Sequence, residues 1–321
     1  MAGGTVRFDD TRISLPPNVP ACSMLLRHGD AGRLPLEGAL ADGCARLPQV
    51  LGRLGTLEVR LARSMDDVRR AQRLRYQVFF EQRGNAATAP GKLFRRDMDR
   101  YDEYCDHLLV VDHAPPRQAL WDNGPSVVGT YRLLGQQRAE RGIGYYSAQE
   151  FDLRGLLEHH ASGSALELGR SCVAPAYRNR RTMELLWRGI WAYVRHHGVK
   201  MMFGCASLEG ADPAVLSLQL SFLHHFARAP AEWRLSARPF CHVPMNRMPP
   251  DAIDTRRAIA SLPALVKAYL RIGGRFGGGA ALDRSFGTTD VMVVVRVEDI
   301  DPRYIAHYGG GEPAMAAIPS R

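Results

Sequence analysis

The sequence contains no Cys-x-x-Cys pair, and its six cysteines stand far apart in a chain of 321 residues. This spacing argues against a zinc ribbon or a disulfide framework and is typical of reduced, mostly buried cysteines in the cytosol. No apolar run approaches the length of a membrane span, and the N-terminus lacks the basic start and apolar stretch of a secretion signal. We therefore expect a cytoplasmic protein that holds no metal ion and at most rests on the inner membrane as a peripheral protein.

The chain also lacks a basic tract interleaved with aromatic residues, which argues against nucleic acid as a partner. Its lysines and arginines nevertheless outnumber its acidic residues by 42 to 33, which gives a formal net charge of +9. An excess of this size implies an acidic partner, either an acidic protein or an anionic membrane surface.

Changes in composition divide the chain into four parts. Residues 1–55 are rich in Ala, Gly, Pro, Arg and Leu without sustained periodicity, which predicts a flexible leader. Strand and helix patterns alternate over residues 56–245, the predicted core, and continue over residues 246–300, a predicted extension packed on that core. Residues 301–321 are predicted to be a tail. The mixture of strands and helices along one chain indicates an α/β or α+β fold around a mostly continuous sheet.

The most informative stretch is 165–191, ALELGRSCVAPAYRNRRTMELLWRGIW, which predicts a strand, a short turn and an amphipathic helix. Glu167 and Arg170 stand on the strand among apolar or small residues. A helix start carries unpaired N–H groups and a partial positive charge, so it attracts anions. The pattern suits a phosphate-tailed substrate that meets a basic carboxylate; the alternative is an exposed helix start with a salt-bridged glutamate. Three arginines crowd the turn and would strengthen anion binding: Arg178, Arg180 and Arg181.

Four motifs in this order resemble those of the acyl-homoserine-lactone synthases, a group within the GNAT acyltransferase superfamily. That group has an arginine and a phenylalanine in the first helix, a D-x-x-D segment, a G-x-x-R-L-L strand and an E-x-x-R strand. The corresponding residues here are Arg75 with Phe79, Asp99 with Asp102, Gly129 with Arg132, and Glu167 with Arg170.

A closer resemblance is to the N-acyltransferases of ornithine-lipid synthesis. It rests on ELGRSCV, YRNRRTMELLWRGIW, FGCASLEGADP, SLPALVKAYLRIGGRFG and DRSFGTTDVMVVV, which together cover residues 57–297. The resemblance implies a GNAT-like fold, with a central mixed twisted sheet flanked by helices and a C-terminal helix-strand extension.

The turn before the central helix departs from the superfamily pattern. That pattern is usually Q/R-x-x-G-x-G/A, whose glycines let backbone N–H groups close on a coenzyme A pyrophosphate, but residues 178–183 contain no glycine. Bulky side chains hinder that approach, which favours a donor with one phosphate, the phosphopantetheine arm of an acidic acyl carrier protein. Apart from this thioester co-substrate, no cofactor is expected. The alternative to a carrier-protein site is that the arginines of the turn are simply solvated at the surface. The predicted donor-binding residues are Val173, Arg178, Arg180, Arg181 and Thr182.

The reaction implied by the resemblance is amide formation between the α-amine of ornithine and a fatty acyl thioester, typically 3-hydroxyacyl, which gives lyso-ornithine lipid. The amine must be neutral to attack, and Glu167 is the candidate general base. Backbone N–H groups of residues 168–173 would stabilise the oxyanion if the strand bulges there. The predicted catalytic residues are therefore Glu167 and Arg170.

The acceptor, ornithine, has a carboxylate and a side-chain ammonium that the site must bind. An arginine fork suits the carboxylate of ornithine, and Arg132 or Arg170 would provide it. Asp99 and Asp102 would bind the side-chain ammonium, with Arg75 pairing either aspartate; the alternative is a solvated acidic loop that caps a helix. Phe79 and Trp187 are predicted to line an acyl pocket, although aromatic residues on helices are more often plain core.

Three other functions fit parts of the pattern. An acyl-homoserine-lactone synthase would use S-adenosylmethionine as acceptor, but that family is usually shorter and lacks the helix and strand predicted over residues 254–297. An N-acyltransferase that depends on acyl-coenzyme A keeps the chemistry and changes the donor. A non-catalytic module that binds acyl groups or carrier protein predicts binding without turnover.

Overall fold

A mixed sheet of nine strands dominates the part of the chain that the structure, a computed structural model, describes: residues 47–82, 84, 89–115, 125–159, 164–233 and 235–308. The strand order is β1-β2-β3-β4-β6-β7-β11-β10-β9, with β5 and β8 paired separately. Every neighbouring pair in the large sheet is antiparallel except β6 and β7. The strands are β1 (Gly52–Leu54), β2 (Leu57–Leu61), β3 (Asp106–Asp112), β4 (Ser126–Gly135), β5 (Phe151–Asp152), β6 (Ala165–Val173), β7 (Met201–Glu209), β8 (Ser236–Ala237), β9 (His242–Val243), β10 (Arg275–Asp283) and β11 (Thr288–Arg296).

Helices cover both faces of this sheet, and a π-helix at Gln77–Gln82 continues the first of them. Ser64 caps that first helix by accepting a hydrogen bond from the backbone N–H of Asp67. The α-helices are α1 (Met65–Tyr76), α2 (Ala89–Phe94), α3 (Gln136–Arg141), α4 (Arg154–His159), α5 (Arg180–His196), α6 (Ser217–Phe226), α7 (Thr255–Ser261), α8 (Ala264–Arg271) and α9 (Pro302–Tyr308). No helix in the described ranges is both long enough and apolar enough to cross a membrane.

Strand β3 shows why both faces are buried. Successive side chains of a strand point to opposite faces. Leu108 therefore packs in the core that includes α5, whereas Leu109 packs against Val68 and Ala71 of α1. Gly189 permits the close packing of α5 on the sheet, because a Cβ there would come within 2.7 Å of the Leu108 side chain and displace it.

Strands β6 and β7 separate soon after they begin. They pair in parallel only where Ala165–Glu167 meets residues 201–203, although β7 remains paired with β11 over its whole length. At the point of separation a Cβ on Gly204 would lie 2.2 Å from the carbonyl oxygen of Leu168, so only glycine fits. Beyond that point a wedge opens between the two strands.

The predicted mixed sheet flanked by helices is confirmed, and the structure adds detail to three of the four predicted segments. Strand β1 lies inside the predicted leader, and α9 lies inside the predicted tail; residues 1–46 and 309–321 of those segments are outside the described residues. The predicted extension does more than pack on the core, because β11 pairs with β7 along nine residues in the middle of the sheet. Local sequence pattern identifies a strand but not its distant partner.

Candidate active site

A cavity of about 1270 Å³ occupies the wedge between β6 and β7. The start of α5, helix α8 and the ends of β10 and β11 complete its wall. Eight residues predicted for the site line this cavity, namely Phe79, Arg132, Glu167, Arg170, Val173, Arg178, Arg180 and Trp187. Five others do not line it, namely Arg75, Asp99, Asp102, Arg181 and Thr182.

Glu167 is a buried carboxylate at the bottom of the wedge, with 3% of its surface exposed. One carboxylate oxygen accepts hydrogen bonds from the backbone N–H of Ser147 (2.7 Å) and from its hydroxyl (2.5 Å), and the other accepts from the backbone N–H of Tyr146 (2.9 Å). These donors begin the 3-10 helix Tyr146–Gln149. They fix the orientation of the carboxylate while the cavity gives a ligand access to it.

The environment of Glu167 favours proton uptake. Burial raises its pKa above the ordinary value for glutamate, although the hydrogen bonds from Ser147 and Tyr146 and the charge of Arg132 act in the opposite direction. A carboxylate with a raised pKa is a stronger base, which suits a group that removes a proton from an amine.

Strand β6 bulges beside this carboxylate. Thr130 of β4 pairs with Cys172, but Arg132 pairs with Gly169, so two residues of β6 face one residue of β4. Arg170, in the bulge, has a φ of +49°, an uncommon value for a residue other than glycine. The bulge that the sequence analysis required for an oxyanion site is therefore present.

Three arginines and three aspartates form a buried ion-pair network next to the cavity. Arg75 donates to Asp97 (2.9 Å) and to Asp102 (2.8 Å), and Arg132 donates to Asp102 (3.1 Å). Equal numbers of positive and negative groups make burial of the charges tolerable. The network consists of Arg75, Arg132, Arg170, Asp97, Asp99 and Asp102.

This network gives Arg75 the aspartate partner predicted for it and places Asp102 between two arginines. Both residues are buried and neither lines the cavity, and Asp102 joins Arg75 to Arg132. A direct contact of Asp102 with the acceptor stays a prediction. Burial alone would raise the pKa of Asp102, but Arg75 and Arg132 hold it well below the ordinary value for aspartate. Asp99 also caps the 3-10 helix Arg100–Glu103, which is the structural alternative noted for this segment.

The two arginines of the network that face the cavity are stacked on aromatic rings. The guanidinium of Arg132 lies 5.4 Å from the ring centre of Tyr146, and that of Arg170 lies 4.9 Å from the same ring. Asp99 contacts both, at 2.6 Å from Arg132 and 3.4 Å from Arg170. Rigid guanidinium groups in this arrangement present positive charge to one side of the cavity.

The start of α5 forms the open end of the cavity. Asn179 caps the helix by accepting a hydrogen bond from the N–H of Thr182, whose own side chain is fully buried. Arg178 and Arg180 are exposed and line the cavity, whereas Arg181 is exposed away from it. Arg178 also donates to the carbonyl oxygen of Val173 at 3.1 Å, which joins the helix start to β6.

An apolar part of the cavity lies between α5 and α8. Trp187 of α5 contacts Tyr269 of α8 in an edge-to-face arrangement, with ring centres 5.7 Å apart. Met183, Leu265 and Ala268 line the space beside Trp187. The contribution of α8 was not predicted, because a helix 75 to 85 residues away carries no local sign of packing beside this site.

The opposite wall is acidic, which the sequence analysis also missed. Asp283 and Asp290 line the cavity. Ligand atoms of Asp290, Glu150 and Cys205 lie within 4.8 Å of one another. Burial and neighbouring carboxylates raise the pKa of Glu150 to about 7, and burial, opposed by hydrogen bonds from Thr288 and Ser207, raises that of Asp290 to about 6.

This acidic wall offers the carboxylates of Glu150 and Asp290 to a cation. Burial raises the pKa of the Cys205 thiol well above its ordinary value, so the thiol stays protonated at neutral pH. A cation bound beside these carboxylates would stabilise their ionised form, which burial otherwise disfavours.

Comparisons with known proteins identify the family of this chain. Residues 74–188 match the family described as Acetyltransferase (GNAT) domain. An L-ornithine N(alpha)-acyltransferase of Brucella abortus (strain 2308) is 48% identical over 260 residues, which are 81% of this chain and 91% of that protein. The protein of the same name from Rhizobium meliloti (strain 1021) is 48% identical over 261 residues, 81% of this chain and 86% of that protein.

Among solved structures, the AHL synthase LasI is 13% identical, with a TM-score of 0.41 over 83% of this chain and 98% of that one. The assignment of this chain to a family rests on the two bacterial relatives, because each is matched over most of its own length at nearly 50% identity. The predicted GNAT-like acyltransferase fold is confirmed, and the chain belongs to the L-ornithine N(alpha)-acyltransferase family.

Proposed function

We propose that this protein transfers a fatty acyl group, typically 3-hydroxyacyl, from acyl carrier protein to the α-amine of L-ornithine and so forms lyso-ornithine lipid. The observation that carries the proposal is the position of Glu167, a buried carboxylate in a cavity between a basic helix start and an acidic wall. The net charge of +9 further supports peripheral contact with an anionic membrane surface.

The chemistry follows from the order of groups along the cavity. Glu167 takes a proton from the ammonium, and the neutral amine attacks the thioester carbonyl to form the C–N bond. The bulged backbone around Arg170 stabilises the oxyanion. The C–S bond then breaks, and the leaving thiolate takes the second proton that the nitrogen loses as the amide forms. Glu167 gives the first proton up to solvent. The donor is already an activated thioester, so Cys172 and Cys205 are not needed as nucleophiles.

The donor arm enters at the start of α5. Its phosphate would meet the exposed guanidinium groups of Arg178 and Arg180, and its acyl chain would lie against Trp187 between α5 and α8. A carrier protein is acidic, so exposed arginines at the cavity mouth favour its docking. Arg181, outside the cavity, would contact the carrier protein and not the arm.

Reversing the three arginines to glutamate (Arg178→Glu, Arg180→Glu and Arg181→Glu together) is expected to raise KM for acyl carrier protein by about tenfold or more at low salt. The difference from the unmodified enzyme should narrow as salt screens the charges. Steady-state kinetics at several salt concentrations measure this. Reversal of the exposed Arg256 and Arg257 on α7 is the control. If the triple variant and the unmodified enzyme have the same KM at low salt, the three arginines do not form a docking surface.

Acceptor binding divides between the two walls. Arg132 and Arg170 present positive charge suited to the ornithine carboxylate, and the side-chain ammonium has two candidate partners. Asp99, predicted from sequence, already contacts both arginines. Asp290 faces the cavity near Glu150 with no arginine in direct contact among the described residues, so it has more to gain from the ammonium.

Asp290→Asn is therefore expected to raise KM for ornithine about tenfold, because the ammonium loses a buried ionic partner. Turnover of norvaline, which has the same backbone but no side-chain cation, should change little. Kinetics with both acceptors measure the effect, and Asp99→Asn is the matched comparison. If Asp99→Asn raises KM for ornithine and Asp290→Asn does not, the ammonium binds at Asp99 and the assignment to Asp290 is wrong.

The function itself is tested by incubating the purified full chain with 3-hydroxyacyl carrier protein or the matched coenzyme A thioester, each with ornithine or S-adenosylmethionine. Mass spectrometry should show acyl-ornithine, formed faster from the carrier-protein thioester. Release of a lactone without consumption of ornithine would contradict the acceptor. Equal rates with both thioesters would contradict the proposal that acyl carrier protein is the donor. Binding of the thioester without any product would indicate a non-catalytic binding module.

A further inference from the structure

Helix α2 presents two adjacent large apolar side chains to solvent. Leu93 is 76% exposed and Phe94 is 54% exposed. The other exposed large apolar residues of the described chain occur singly, at Val215, Phe226, Phe240 and Ile259. Isolated exposed apolar residues are ordinary, but an adjacent pair at the surface marks a contact region. We call this pair, with Lys92 and Arg96 beside it, the α2 patch.

Basic groups surround the apolar pair. The guanidinium of Arg96 lies 5.2 Å from the ring centre of Phe94, so charge and apolar surface are contiguous. Lys92 is exposed on the same helix. Arg69 and Arg73 of α1 are close enough to lower the pKa of Arg96, although burial is the larger cause.

The carboxylates among these basic groups are already paired. Glu81 contacts Arg95 at 2.6 Å, and Asp66 contacts Arg70 at 2.7 Å and Arg73 at 3.8 Å. The surface around the α2 patch therefore has an excess of positive charge. Such a surface attracts anionic headgroups, and its apolar side chains can enter the boundary between headgroups and acyl chains.

The α2 patch is linked to the cavity wall through the Arg95–Glu81 ion pair. Glu81 belongs to the π-helix Gln77–Gln82, in which Phe79 lines the cavity and Phe80 packs 5.8 Å from Phe286. Phe286 lines the cavity as well. Contact of the patch with a bilayer would thus hold the cavity near the membrane.

We propose that the α2 patch binds an anionic lipid bilayer. Leu93 and Phe94 insert at the headgroup boundary, and Lys92 and Arg96 contact anionic headgroups. An acyl-amino-acid product, which is itself membrane-soluble, would then leave a cavity held beside the bilayer. Only this last consequence rests on the proposed function, because the binding of lipid by the patch does not require any particular reaction.

The test is co-sedimentation of the full chain with vesicles of phosphatidylcholine alone or with added phosphatidylglycerol. Binding is expected only with phosphatidylglycerol and should weaken at high salt. The double variant Leu93→Ser with Phe94→Ser should partition about tenfold less, and Lys92→Gln with Arg96→Gln should lose the preference for anionic vesicles. Phe240→Ser, at a residue 78% exposed on another part of the surface, is the control.

Several outcomes would overturn the proposal. These are no binding to anionic vesicles, equal binding by the serine variant and the parent, or loss of binding by the Phe240 control to the same extent. A change of oligomeric state in the serine variant would instead identify the patch as a contact between copies of the chain. A raised KM for carrier protein with unchanged vesicle binding would identify it as a protein-docking surface. Failure of the ornithine reaction would leave the vesicle result unaffected, so the two proposals can fail separately.

Discussion

Glu167→Gln is expected to lower kcat by about 10²- to 10⁴-fold, because the amide cannot accept the proton that the attacking amine must lose. KM for the carrier-protein thioester should change little, since the donor binds at the start of α5. Steady-state and single-turnover kinetics measure both quantities. The pH profile gives an independent readout: the part of the acidic limb of kcat/KM that the raised pKa of Glu167 sets should disappear in the variant, whereas the part that Asp290 sets should remain.

The fold should survive this substitution. Gln is similar in size to Glu, and its carbonyl oxygen can still accept from the Ser147 backbone, but its amide group would face the N–H of Tyr146. One lost hydrogen bond costs about 1 kcal/mol, which a melting curve would register without loss of the native state.

Glu184→Gln is the matched control for the kinetic effect. Glu184 lines the same cavity but pairs with Arg188 at 2.8 Å along α5, outside the wedge between β6 and β7. Its substitution should leave kcat within about twofold, because its partner Arg188 lies on the same helix and outside the wedge. Full kcat in Glu167→Gln, or an equal loss in both variants, would refute the role of Glu167 as the base.

Local pattern was enough to predict the central strand, turn and helix. Residues 165–191 contain alternating and helical periodicities that depend only on near neighbours, so β6 and α5 appear where the sequence predicts them. The same is true of Glu167, since a lone carboxylate in an apolar strand signals a functional or paired group. The family resemblance then supplied the chemistry, which no periodicity contains.

Long-range pairing explains what the sequence could not predict. The acidic segment 97–102 has the composition of a solvated loop. Its pairing with Arg75 was predicted, but not the contacts with Arg132 and Arg170 that complete a buried network. Asp290 on β11 reaches the cavity only because β11 pairs with β7. The sequence next to these residues does not indicate their distant partners, because strand register is decided by packing between distant segments.

Asp102→Asn is expected to lower the free energy of unfolding by about 3–5 kcal/mol, the usual cost of breaking a buried ion pair from one side. Asp102 accepts hydrogen bonds from Arg75 (2.8 and 2.9 Å), Gln72 (2.9 Å) and Arg132 (3.1 Å), and only a few per cent of its side chain is exposed. The neutral amide would leave Arg75, with 1% of its side chain exposed, short of a countercharge. Denaturant unfolding followed by circular dichroism measures the loss.

The size of this effect should depend on pH in a defined direction. The folded-state pKa of Asp102 is lowered, so its stabilisation is complete above the unfolded pKa of about 4 and is lost as pH falls below that value. The difference between parent and variant should therefore be largest near neutral pH and shrink in acid. Asp66→Asn, which breaks a half-exposed pair with Arg70, should cost only about 0 to 1 kcal/mol at any of these pH values. An Asp102→Asn protein as stable as the parent at pH 7 would show that the network does not depend on this carboxylate, and Arg132 would then need another reason to keep its position in the cavity wall.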